Sequence, residues 1–166
     1  LMMLPVLKKA GSQKGWVMIG PSLLFVILLS FSLSQAALSE DAGLMTPETA
    51  WQKAENGELL IIDIRTQDEW DETGIAPDAA LVSLYSDWGI PNLEFVTEIL
   101  AALDGDKDKP FALICAGGVR TAFAADLLRD RGFSQVFDIG EGMLGSGDGP
   151  GWLARGLPTR ECSDCT

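Results

Sequence analysis

Apolar and polar positions fall into blocks along the chain, and the blocks differ in period. Thr46-Pro47-Glu48 has the form of a helix start: a capping hydroxyl, a proline at the first helical position and an acid in the first turn. The pattern predicts a helix to about Glu55, stopped by Asn56-Gly57. Leu59-Leu60-Ile61-Ile62 is an unbroken apolar run inside residues 58–64, as expected for a strand buried on both faces. A short polar helix over 66–72, a turn over 74–78 and a strand over 80–84 follow. Residues 85–91 read as a loop whose Trp88 packs at a rim. Asn92 is placed to cap a helix to Leu103, with Phe95, Val96, Ile99, Leu100 and Leu103 on one face. Phe111–Ile114 is a second short apolar run. Ala122, Ala125 and Leu128 recur at helical spacing over 121–131, before the stop at Gly132. A last strand over 135–139 and a final helical turn over 152–156, with Trp152 against the sheet, complete the domain. Strands alternating with helices predict a single three-layer α/β/α domain around a mainly parallel sheet.

Residues 1–36 follow a different pattern. Lys8, Lys9 and Lys14 precede the apolar core 23–29, and Ser34-Gln35-Ala36 puts small residues at both cleavage-defining positions. This is the form of an export signal, with an uncleaved membrane anchor as the alternative because 16–33 approaches the length of a span. The expected organisation is a leader over 1–36, a linker over 37–45, a domain over 46–158 and a tail over 159–166. The expected location is a bacterial periplasm, with membrane contact only through an uncleaved leader.

Charge narrows the partners. The chain has 24 acidic and 12 basic residues, and every acid lies at Glu40 or later. Such a surface repels nucleic acid. Any anion site must therefore act locally, within a Debye length of roughly 8 Å. The chain has no histidine. Cys–His and Ser–His–Asp hydrolases lack their base, and histidine-containing zinc sites are excluded. No cofactor and no metal are expected.

The candidate chemistry lies in Cys115-Ala116-Gly117-Gly118-Val119-Arg120, between the strand at 111–114 and the helix that follows. A cysteine here stands at the carboxyl end of a strand, where open α/β sheets place ligands. The two glycines let backbone N–H groups turn inward as an anion nest, and the helix N-terminus and Arg120 add positive charge. Such a setting favours a thiolate over a thiol. Cys115 and Arg120 are the candidate catalytic residues, with Ala116, Gly117, Gly118, Val119 and Arg120 as the substrate-binding loop.

Strand, Cys115, glycine-containing loop, Arg120 and helix together resemble the active-site loop of the rhodanese sulfurtransferase family. Asp63-Ile64-Arg65 followed by Glu69-Trp70 resembles that family's D-x-R…E-[WFY] stretch. Ile139-Gly140-Glu141-Gly142-Met143 followed by Trp152 resembles its closing L-x-G-G-M…W stretch. The likeness runs from about Met45 to Pro158. Where the family carries G-H-I-P-G-A, this chain has Gly74-Ile75-Ala76-Pro77-Asp78-Ala79. The resemblance implies a rhodanese-like fold and a sulfurtransferase. Cys115 would accept sulfane sulfur from thiosulfate, a related anion or a protein persulfide, and pass it to a thiol acceptor. Loop N–H groups would stabilise charge, and Arg120 would orient the donor's sulfonate end.

Other motifs carry less. Asp63 is expected to cap the following turn and Arg65 to pair with Glu69 four residues on. Gly140 to Gly145 fits G-x-G-x-x-G, but the glycines and proline that follow forbid the long helix of a dinucleotide site, so a loop near the Cys115 mouth is expected. Residues 104–108 mimic the start of a calcium loop and fail at its sixth and twelfth positions, leaving a solvated turn. Cys162-Ser163-Asp164-Cys165 is expected to close as a local disulfide, with a redox pair as the alternative. Two rivals to sulfur transfer stand. One is a non-catalytic or redox-partner binding module. The other is a cysteine phosphatase, whose loop has five residues between Cys and Arg where this one has four.

Overall fold

Four parallel strands form the centre of the protein, in the order β2-β1-β3-β4. The computed structural model describes residues 43–162 and 165. The expected leader over 1–36 and most of the linker lie outside the described residues. The strands are β1 (Leu60–Asp63), β2 (Ala80–Leu81), β3 (Phe111–Ile114) and β4 (Val136–Asp138). β1 and β3 form the middle pair, with Leu60 opposite Phe111 and Asp63 opposite Ile114. All four residues of β3 are buried. This is why the sequence shows a continuous apolar run rather than an alternating one.

Among the described residues, five helices surround the sheet: α1 (Pro47–Glu55), α2 (Gln67–Thr73), α3 (Phe95–Ala102), α4 (Val119–Asp130) and the short α5 (Gly151–Ala154). Thr46 caps α1 through its hydroxyl, as its sequence requires. One core lies under α3 and α4, with Phe95, Ile99, Leu113, Ala125 and Leu128 packed together. The other lies under α1 and α5, with Ala50, Ile61, Ile114, Met143 and Trp152. Two cores on the two faces of one parallel sheet make the expected three-layer α/β/α architecture.

Several local expectations need correction. The strand at 80–84 forms ladder pairs only at Ala80 and Leu81. α3 begins at Phe95, not after Asn92. Asn92 instead accepts the Glu94 N–H and donates to the Ser83 carbonyl, so it shapes the turn before the helix. α4 begins at Val119, two residues early, and it buries Thr121, Ala124, Ala125 and Leu128 while Ala122 is exposed. Trp88 is 90% exposed, so it packs against no rim. Residues 104–108 are an exposed turn, with Asp104 held by Lys109.

Candidate functional site at the end of the central strand

Cys115 follows the last residue of β3 and is 1% exposed. It is a free thiol at the carboxyl edge of the sheet. The chain must then turn from strand to helix within a few residues, and Gly118 makes the turn with φ of +81°. A side chain there is excluded twice over. The backbone sign is wrong for an L-residue, and a Cβ would stand 2.0 Å from the Gly140 carbonyl oxygen. That close approach comes from the loop over 140–145, which lies against the cysteine loop as expected. Met143 N–H donates to the Cys115 carbonyl at 2.8 Å, and Leu144 N–H to the Ala116 carbonyl at 2.9 Å.

The N–H groups of the turn are left for another partner. Among the described residues, no acceptor receives the N–H of Ala116, Gly117 or Gly118. Those of Val119, Arg120 and Thr121 open α4 and have no intrahelical acceptor. Cys115 thus precedes a run of unspent donors that leads into the positive end of a 12-residue helix. The Thr121 hydroxyl is 3.8 Å from the Cys115 sulfur and donates to the Gly118 carbonyl at 2.7 Å. From the sequence, Thr121 is expected only as the start of a helix, not as part of the site. The only signal was its place one residue after Arg120, which becomes informative once α4 starts at Val119.

Arg120 does not stand open over the sulfur. Its Nη1 and Nη2 both donate to the Glu69 carboxylate, at 2.7 and 2.6 Å. Burial works to raise the Glu69 pKa. The Arg120 hydrogen bond, the Thr66 N–H and the charges of Arg120 and Arg65 overcome it and hold the carboxyl below its usual range. The same Glu69 contact raises the Arg120 pKa against burial, with Cys115 adding to the effect. Glu69 does not pair with the Arg65 side-chain fork, as the i,i+4 spacing had suggested. Arg65 is 1% exposed and needs a partner at its own depth, which is Asp63, with Nη2 to Oδ2 at 2.7 Å. Its remaining N–H groups donate to the carbonyls of Glu69 and Gly74 and to the Thr73 hydroxyl. Asp63 also accepts the Arg65 N–H, as expected. Arg65 therefore fastens α2 to the end of β1, and α2 presents Glu69 to Arg120.

A second anchored acid supports the other side. Glu141 is buried and accepts from the Gly151 N–H and from Arg155, which also reaches Glu48 on α1. This ties the 140–145 loop to α1 and α5. Asp138, at the end of β4, is 5% exposed, and its Oδ1 has no hydrogen-bond partner among the described residues. Burial raises its pKa, and Thr121 and Arg129 only partly offset that. No group of three or more His, Cys, Asp or Glu among the described residues is placed to hold a metal ion.

The family model for the rhodanese-like domain matches residues 46–145. The chain belongs to the rhodanese-like family. The fold agrees. This rhodanese-like domain superposes on the crystal structure of Rv0390 from M. tuberculosis with a TM-score of 0.58 and 27% identity, covering 72% of this chain and 97% of that one. It superposes on the polysulfide-sulfur transferase homodimer from Wolinella succinogenes with a TM-score of 0.51 and 28% identity, covering 74% and 80%. In sequence it is 25% identical over 118 residues to the tRNA uridine(34) hydroxylase of Chlamydia abortus, covering 69% of this chain and 34% of that protein. Relatives of this rhodanese-like domain thus carry more than one activity.

The tail completes the domain. The Arg160 N–H and carbonyl exchange hydrogen bonds with Ile75 at 2.9 and 3.0 Å. This lays the tail beside the turn that in this chain lacks the family's histidine. Cys162 and Cys165 are joined as a disulfide and packed with Trp70 and Ile75.

Proposed function

We propose that this chain is a sulfurtransferase that carries sulfane sulfur on Cys115. The observation behind this reading is the buried Cys115 sulfur at the end of β3, followed by loop N–H groups that have no acceptor among the described residues. In the first half-reaction the Cys115 thiolate attacks the outer sulfur of thiosulfate or a related donor. A sulfur–sulfur bond forms on Cys115, the donor's own sulfur–sulfur bond breaks, and sulfite leaves with the electron pair. In the second, an acceptor thiolate attacks the outer sulfur of the persulfide and Cys115 departs as a thiolate, a two-step covalent scheme. The cysteine persulfide is anionic, and donors aimed at it from the loop stabilise it without reorganising.

Arg120 has a narrower part than an open anion fork. Glu69 accepts one N–H from each terminal nitrogen, so the fork is held edge-on by Glu69 and the remaining guanidinium N–H groups are the donors left. Arg120 sets the local positive charge and the pose of the loop, and the donor's sulfonate end meets it from that side. A phosphatase reading is disfavoured by the loop itself, because four residues between Cys115 and Arg120 give a smaller cradle than a phosphate loop with five. The proposal includes the setting: the leader delivers the domain to the periplasm, and a mature N-terminus at Ala37 on protein recovered from cells would support this.

Mass spectrometry of the protein treated with thiosulfate tests the chemistry. One sulfur atom should be added to Cys115 and released by a thiol. Cys115→Ala and Cys115→Ser should both abolish it, the latter because a hydroxyl forms no persulfide. Sulfur that persists in Cys115→Ala, or that maps to Cys162 or Cys165, would refute the assignment. Hydrolysis of an aryl phosphate without sulfur loading would favour the phosphatase.

A further inference from the structure

The Cys162–Cys165 disulfide closes a loop with a sequence separation of only 3. A cross-link between near neighbours restrains the unfolded chain far less than one closing a long loop. It also staples no distant elements together, since the antiparallel bridge at Ile75 already holds the tail. A purely structural role leaves two further features unexplained. Each sulfur has its own polar donor. Arg160 Nη1 points at the Cys165 sulfur at 3.6 Å, and Gln67 Nε2 points at the Cys162 sulfur at 3.9 Å while also donating to Asp71. The two sulfurs differ in access as well. Cys162 is 4% exposed, against Trp70 and Ile75, whereas Cys165 is only partly buried.

Clefts lie on both sides of this bond. One, of about 660 Å³, is bordered by Asp71, Gly74, Arg160 and Cys162. The other, of about 680 Å³, is bordered by Gln67, Trp70, Ser83, Arg160 and Cys165. Arg160 lines both, and among the described residues it forms no ion pair. A reductant's thiolate is an anion, and on a protein with a formal charge of −12 it is repelled at long range. Glu98 lines the Cys165 cleft and Asp71, Glu72 and Glu161 line the other, so the attraction comes from Arg160 alone, whose Nη1 is 3.6 Å from the Cys165 sulfur.

We propose that the Cys162–Cys165 pair is a thiol–disulfide exchange site for a dithiol reductant, separate from Cys115, with Cys165 the attacked sulfur. The reductant's thiolate attacks the Cys165 sulfur from the open side. The bond to Cys162 breaks, and the electron pair leaves on the Cys162 sulfur, which Gln67 faces. The reductant's second thiol gives its proton to solvent and attacks its own sulfur in the mixed disulfide. Cys165 is released as a thiolate beside Arg160. Two electrons pass from the dithiol, which departs as a disulfide, and the protein gains two thiols. Such exchange requires an accessible sulfur and a donor for the departing one; Cys165 is the first, and the Gln67 amide is the second, at Cys162.

The test uses the oxidised full chain with two probes, glutathione and dithiothreitol, without denaturant. After quenching with an alkylating agent, tandem mass spectrometry locates each modification. With glutathione, the mixed disulfide should sit on Cys165 and the alkyl group on Cys162. With dithiothreitol, both should become alkylated while circular dichroism stays native. Arg160→Gln should slow opening about tenfold, the scale of one lost charge-assisted contact, and Arg160→Lys should recover part of the rate. Glutathione on Cys162, opening only in denaturant, or Arg160→Gln opening at or above the wild-type rate would each overturn the proposal. Faster opening in particular would mark Arg160 as a clamp on the tail. Cys115 is read separately on its own peptide, so failure here leaves the sulfur-loading assignment intact.

Discussion

Glu69 and Arg120 hold one another in a two-pronged ion pair across 51 residues of sequence. Their side chains are 29% and 24% exposed. A double-mutant cycle on Glu69→Gln and Arg120→Gln should give a coupling of about 1 kcal/mol in unfolding free energy at neutral pH, the upper part of the range for pairs not fully buried. The sign of its pH dependence follows from Glu69. Its pKa in the fold lies below the ordinary 4.5, so the contribution is complete above pH 4.5 and is lost as pH falls through the lower, folded value. The coupling measured by denaturant titration should therefore disappear in acid.

Arg120→Ala should leave Cys115 competent but slow sulfur loading from thiosulfate. A contact of about 1.5–3 kcal/mol corresponds to roughly one to two decades in the rate constant. Arg120→Lys should recover only part, since it keeps the charge and loses the planar fork that Glu69 grips. Stopped-flow measurement of sulfite release separates the three proteins. Equal rates in Arg120→Ala and wild type would mean that the guanidinium has no part in the transfer.

Gly118→Ala should damage the loop more than a surface change of the same size. The position combines φ of +81° with a carbonyl oxygen where the Cβ would go, so the loop or its neighbour at Gly140 must move. A loss of about 2–4 kcal/mol is expected, the range for strain at a special backbone position with a clash. Thermal unfolding and sulfur loading should fall together. Gly147→Ala, at a glycine with open space around it and no left-handed backbone, serves as the reference and should cost far less.

Asp138→Asn should stabilise the protein at neutral pH by about 1–2 kcal/mol, the scale of relieving one buried, unpaired charged oxygen. Burial raises the Asp138 pKa above its ordinary 3.8. The native state therefore holds the proton more tightly than the unfolded chain. Its favourable contribution is complete below pH 3.8 and is lost as pH rises through the folded value. The advantage of the Asn variant should be absent in strong acid and grow as pH rises. A melting-temperature series across that range checks the sign.

The sequence was most informative where a residue's role is local. Thr46-Pro47, the apolar runs in β1 and β3, and the Cys115 loop are each read from neighbours within a few positions, and each stands where expected. Pairings between distant elements were not legible. Charge spacing suggested that Arg65 faces Glu69, but burial sent Arg65 to Asp63 and left Glu69 for Arg120. The start of α4 was missed for a related reason. Gly118 in the left-handed region lets the helix begin at Val119, and that conformation is fixed by the packing of the 140–145 loop. Trp88 shows the limit of reading an aromatic residue as packed, because its environment depends on how a loop is laid on the surface.

The strand order has a consequence for how the chain reaches this structure. All three strand pairings are parallel, so no hairpin can nucleate the sheet, and the central pairing of β1 with β3 closes the longest loop of the three. Leu60 meets Phe111 across the same sequence distance that separates Glu69 from Arg120. Closure of the central pair therefore brings α2 and the start of α4 into range together, and the ion pair forms with little further loss of chain entropy. Substitutions at Ile62 or Leu113 should slow folding itself, while those at Glu69 should act mainly on the rate of unfolding. The end of the sheet that carries Cys115 would then be assembled in the same step that commits the chain to fold.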